Sequence, residues 1–128
     1  MKEDIKKRLR DGLDPIPEGY LSDAVIKETI RCLLYGYLKE QGYLPLPAYR
    51  TPRYPEGPVD MVGMAGQTVE VAFCSSPTIE LKDVKKLERV PCEKKYVISF
   101  SRNEKKVGMS TFFLKPGIEH IRLYGLEK

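Results

Sequence analysis

The chain has 128 residues, 41% of them hydrophobic and 31% charged, with a formal net charge of +4. That is one domain, long enough to bury a core without disulfides or metals, and its balance excludes a disordered chain. No apolar run approaches the roughly 18 residues of a membrane span, and the polar start lacks the core of a signal peptide, so the expectation is a cytoplasmic protein with no membrane partner.

Three widely spaced cysteines (Cys32, Cys74, Cys92) form no CxxC pair, which supports neither a zinc site nor a disulfide framework. Charge is unevenly placed. Residues 1–20 hold five basic and five acidic groups, whereas residues 82–106 hold nine Lys or Arg against four Asp or Glu. Such an excess permits attraction to phosphate backbones without demanding it, and on charge alone a solvated helix and loop surface is the better reading.

In chain order, Ile5, Leu9 and Leu13 in KEDIKKRLRDGL predict a short amphipathic helix over 2–13. The Pro-rich connector DPIPEG follows, so residues 1–20 read as an N-terminal helix and connector of a single domain over 1–128. The clearest helix is SDAVIKETIRCLLYGYLKEQG, with Ser22 as N-cap, an apolar face of Ile26, Ile30, Leu33, Leu34 and Tyr37, and Gly42 as its stop. YLPLPAYRTPRY is too rich in proline for a central strand and reads as an edge. VDMVGM and QTVEVAF are strands of a hairpin turning at Ala65-Gly66. SSPTIELKDVKKLERV predicts a helix capped by Ser76 with Pro77 at its first position. KKYVISFSR is a strand, NEKKVG a turn or loop, STFFL ambiguous, and IEHIRLYGL a closing strand. The strand-helix-strand passage from QTVEVAF to KKYVISF predicts a right-handed crossover between parallel neighbours, hence a mixed sheet with helices on its faces, an α/β domain.

A carboxylate stands in each hairpin strand, Asp60 and Glu70. A buried carboxylate needs a positive partner, and two on one face need a cation between them. With a three-residue loop (Met64, Ala65, Gly66), positions 60 and 70 would lie opposite each other with Cβ atoms about 5 Å apart. With a two-residue loop the carboxylates would face opposite sides and the site would fail.

The run PVDMVGMAGQTVEVAF, set after a long helix and before a helix and strand, resembles the PD-(D/E)xK nucleases of the restriction-endonuclease-like fold over about residues 22–101. The resemblance implies an α/β mixed sheet, cleavage of DNA or RNA phosphodiesters, Mg²⁺ or Mn²⁺ held by Asp60 and Glu70, and a homodimer. It departs from the family where Ala72 stands in place of the lysine two residues after the Glu, a group that stabilises transition-state charge. Lys82 and Lys85 of the following helix are the candidate substitutes, and Lys82 is carried as the third catalytic candidate. For the acidic residue that many members place on the first helix, Glu28 lies on the side opposite the apolar stripe, and Asp23 faces the right way but stands in the first turn, where a carboxylate is ordinary. In a loose likeness to the Holliday-junction resolvases, Arg31 falls there instead. The alternative is a descendant of that fold without catalysis, a module for nucleic-acid binding or protein interaction.

Other chemistry is thin. Cys74 and His120 lie on different strands with no third residue to orient the histidine, which reads better as a strand surface residue. Tyr35, Tyr37, Tyr43 and Tyr96 fall in or beside apolar faces. Arg50 and Arg53, just before Asp60, are candidates for phosphate contacts. There is no Gly-rich phosphate loop.

Overall fold

Residues 1–125 are described by a computed structural model. Four helices, α1 (Lys2–Leu13), α2 (Asp23–Glu40), α3 (Leu81–Arg89) and α4 (Glu104–Ser110), accompany five strands, β1 (Leu44–Pro47), β2 (Met61–Ala65), β3 (Thr68–Ser76), β4 (Lys94–Ser99) and β5 (Ile118–Arg122). The strands form one mixed sheet in the order β1-β2-β3-β4-β5. The first three run antiparallel in sequence, and β3-β4 and β4-β5 are parallel. The expected pairings of the hairpin and of the strand at 94–99 are therefore present. The proline-rich edge is β1, where Pro45 and Pro47 deny donors to a further strand.

Alternation along the strands sorts side chains into two cores. Val71 and Phe73 of β3, with Tyr96 and Ile98 of β4, face Ile5 and Leu9 of α1 and Ile26, Ile30 and Leu34 of α2. Phe73 and Tyr96 stack with ring centroids 5.4 Å apart. Ala72 and Cys74 of β3, with Val97 of β4, face Val84 and Leu87 of α3. The sheet is thus covered on both sides, and its side chains form a filled interior. Ser22 caps α2 as expected, its hydroxyl accepting from the Val25 N–H at 3.2 Å.

Three expectations are corrected. Ser76 does not cap α3: it is the last residue of β3, paired with Ser99, and its carbonyl accepts from the Phe100 N–H. Parallel pairing with β4 outweighs the local capping signal, so α3 starts four residues later than expected, at Leu81. The loop expected at NEKKVG is α4, capped by the Asn103 side chain accepting from the Lys106 N–H at 3.1 Å, and TFF continues it as a 3₁₀ turn. The tyrosines divide, with Tyr37 and Tyr96 buried but Tyr35 exposed. Of the expected closing strand IEHIRLYGL, Leu126 lies outside the described residues.

Candidate functional site

The hairpin register decides the fate of the two carboxylates. Ala65 pairs with Thr68, leaving a two-residue turn of Gly66 and Gln67 with Gly66 at φ +63°. Gly63 pairs with Val71 but Met64 with Val69, so Glu70 is an extra, unpaired residue of a β-bulge. Asp60 sits one step beyond the Met61–Phe73 pair, its N–H donating to the Phe73 carbonyl at 3.0 Å. Four strand residues, about 13 Å, therefore separate the two along the sheet. The expected facing of Asp60 and Glu70 is corrected: Glu70 is exposed near Thr68 at the turn, and Asp60 is buried at the other end of the hairpin. As a donor set these two do not converge on one ion.

Asp60 has other company. Its Oδ2 accepts from the Ser75 N–H at 2.6 Å, the Ser75 hydroxyl at 3.0 Å and the Lys27 ammonium at 3.0 Å. Its Oδ1 faces the Arg31 guanidinium at 3.4 Å. Lys27 also donates to the Ser75 carbonyl, tying α2 to the end of β3. Arg31 reaches back to Glu28 at 3.8 Å, and its buried Nε has no hydrogen-bond acceptor among the described residues. The sequence position where the resolvase likeness calls for an acidic residue thus carries a cation aimed at Asp60.

Next to this network Ser76 donates its hydroxyl to the Asp83 carboxylate at 2.6 Å, and Lys86 lies 3.8 Å from the other oxygen. Burial of Asp83 on the inner side of α3 pushes its pKa upward, against the opposing pull of the Ser76 hydrogen bond and the Lys86 and Lys27 charges. Asp60, Asp83, Lys27, Lys86 and Lys82 line one cleft of about 380 Å³ between the start of α2, the end of β3 and α3, with Asp23 at its edge. The parallel strands β3 and β4 end beside it, the usual place for ligands in α/β sheets.

Of the expected residues, Asp60 and Lys82 share this cleft, while Glu70 does not. Lys82 is exposed and pairs with Glu80 at 3.2 Å. Lys85 is exposed on α3, outside the residues lining the cleft. Ala72 is fully buried beneath α3, so a lysine there would enter an apolar layer and not project toward Asp60; the strand residue that meets Asp60 is Ser75. Arg50 and Arg53 are exposed on the loop joining β1 to Asp60. That loop is held to β2 by the Ala48 N–H donating to the Asp60 carbonyl and the Val59 N–H to the Tyr49 carbonyl.

Sequence reasoning missed Lys27, Ser75, Ser76, Asp83 and Lys86. One signal was present: Lys27 and Arg31, four apart, flank the apolar stripe of α2 and so point at the sheet's rim. Cys74 and His120 are separated by Val97 across β4. The histidine Nε2 bonds the Ser99 hydroxyl at 2.7 Å, and burial pushes the Cys74 thiol far above its ordinary range, leaving no thiol-imidazole pair. Among the described residues no group of three or more His, Cys, Asp or Glu is arranged to hold a metal ion, and no helix is long and apolar enough to cross a membrane. Comparison with protein-family models, curated proteins and solved structures returns no match for the chain.

Proposed function

We propose that the chain is a nucleic-acid-binding module on a restriction-endonuclease-like fold, with an ion-pair network standing where a metal-dependent nuclease holds its cation. The element order supports the fold: a long helix, three antiparallel strands, a helix and a parallel strand follow one another as in the PD-(D/E)xK resemblance.

The observation that carries the functional reading is the company of Asp60. The carboxylate at the first motif position is met by Lys27, Arg31 and two donors of Ser75. These cations satisfy its charge from inside the protein and oppose a divalent ion at the same oxygens. Nucleic acid is the partner that the rest of the surface favours. Lys82 and Lys86 line the cleft, Lys85 extends the basic face of α3, and Arg50 and Arg53 are exposed on the loop before Asp60, while Arg89 is held by Glu56 at 2.6 Å. Contacts from such groups go to phosphates and carry little sequence information.

The test is fluorescence anisotropy with labelled single- and double-stranded DNA and RNA over a salt series, run beside a cleavage assay in Mg²⁺ and Mn²⁺. Salt-sensitive binding is expected, weakened by Lys82→Glu with Lys85→Glu and Lys86→Glu, and no cleavage. Absence of binding even at low salt would remove the proposal. Cleavage abolished by Asp60→Ala would replace it with the nuclease reading, in which Asp60 and Lys82 act without Glu70.

A further inference from the structure

We propose that the exposed face of α4 and the 3₁₀ turn after it is a stacking platform for unpaired bases, an inference that rests on the nucleic-acid reading above. Phe112 is 87% exposed and Met109 70% exposed. Phe113 meets Phe112 edge to face, with centroids 5.8 Å apart and ring planes at 79°, which fixes the outer ring and leaves its own face open. Lys105 lies four residues before Met109 and seven before Phe112, on the same helical face, and Lys106 lines the shallow cavity that Phe112 and Phe113 share.

The face is rigidly mounted. The Ser110 hydroxyl accepts from the Ile79 N–H at 3.1 Å and donates to the Val107 carbonyl at 2.6 Å, pinning α4 to the connector between β3 and α3. That connector joins the two surfaces. Ser76 and Pro77 line the Asp60 cleft, and Thr78 and Ile79, the next residues, line the cavity under Phe112. A single strand whose phosphates follow the basic face of α3 would reach the ridge along this connector.

Charge selects the occupant. Lysines beside an open aromatic face match a chain that offers phosphates and flat bases at close spacing, as a single strand does. A second copy of this protein, docked isologously on this face, would bring Lys105 and Lys106 of both copies into one interface, with like charges near one another. A duplex keeps its internal bases stacked and offers Phe112 only the outer faces of its two terminal pairs.

The sequence contains no tryptophan, so Phe112→Trp places a single reporter on the ridge. A single-stranded oligothymidylate is expected to quench its emission, and a long duplex at equal nucleotide concentration, in which ends are few, is not. Phe112→Ala, at a side chain almost wholly in solvent, is expected to keep the wild-type fold by circular dichroism. It should weaken single-strand binding about ten-fold or more while leaving duplex binding unchanged. If wild type binds nucleic acid but Phe112→Trp is unquenched and Phe112→Ala binds like wild type, the platform is refuted while the nucleic-acid reading stands. If wild type binds no nucleic acid, both fall. A wild-type dimer in sedimentation that Phe112→Ala dissolves would assign the ridge to a second copy and overturn the proposal.

Discussion

Replacing Asp60 by alanine distinguishes a structural ion network from an open metal site. Two donors of Ser75 and one of Lys27 converge on Oδ2, and the carboxylate is buried. Losing the charged acceptor orphans the Ser75 N–H and hydroxyl; a buried unsatisfied donor costs about 1–3 kcal/mol. The ion pairs add less than their distances suggest, because the Lys27 and Arg31 side chains are 36% and 30% exposed and can be rehydrated. The total comes to about 3–4 kcal/mol, within the range for breaking a buried pair from one side. In a domain of this size that lowers Tm by about 11–15 °C. Asp60→Asn should cost about half as much, since the amide oxygen still accepts from Ser75 while the charge toward Lys27 and Arg31 is gone. Urea unfolding followed by circular dichroism, with a Lys27→Met double-mutant cycle, measures both terms. The reasoning fails if Asp60→Ala is as stable as wild type or more so. It fails equally if millimolar Mn²⁺ raises the Tm of wild type but not of the variant, as a carboxylate site kept open for a cation would require.

Three further outcomes are expected. Asp83 has its pKa raised by burial above the ordinary 3.8, so the folded state binds more protons between the two values. Its contribution to stability is fully present below the unfolded value and is lost as pH rises through the folded one; Asp83→Asn should flatten that slope in urea midpoints taken from about pH 3 to pH 7, and an unchanged slope would refute the assignment. Gly63→Ala should destabilise by about 1–3 kcal/mol in the same assay, because a Cβ there would stand 2.9 Å from Val71 Cγ1 and 3.1 Å from Leu38 Cδ2 between sheet and α2; a neutral variant would contradict this packing. In labelling by a thiol reagent at about pH 8, exposed Cys32 should react first and half-buried Cys92 more slowly. Buried Cys74, its thiol pushed up by desolvation, should react only after denaturation; equal rates for Cys32 and Cys74 would refute its burial.

Local pattern determined much of the architecture. The stripes Ile5-Leu9-Leu13 and Ile26-Ile30-Leu34, the Ser22 cap and the prolines of the edge strand act within a few residues of themselves. Helices α1 and α2, strand β1 and the parallel pairing of β3 with β4 were accordingly legible from the chain. Asp60 was legible too, since a carboxylate opening an apolar strand demands a positive partner. Which partner it found was decided by register and by packing across the sheet. The turn fell at Gly66-Gln67 and not at Met64-Gly66, which alone carried Glu70 three residues away from Asp60, and a single bulged residue in β3 added one more step that left Ser75 beside Asp60. The side-chain period of two makes such a shift change every later facing, and nothing in QTVEVAF alone marks the bulge. Lys27 and Asp83 met the end of β3 only because α2 and α3 lie on opposite faces of the sheet and converge at that edge. Ser76 became the last rung of a parallel ladder because β4 offered it backbone partners that a helix cap could not match. Contacts between residues 33 or 48 positions apart, such as Lys27 with Asp60 and with Ser75, are set by how the layers dock. Apolar burial over the whole sheet fixes that docking, so the ion network follows from the tertiary structure.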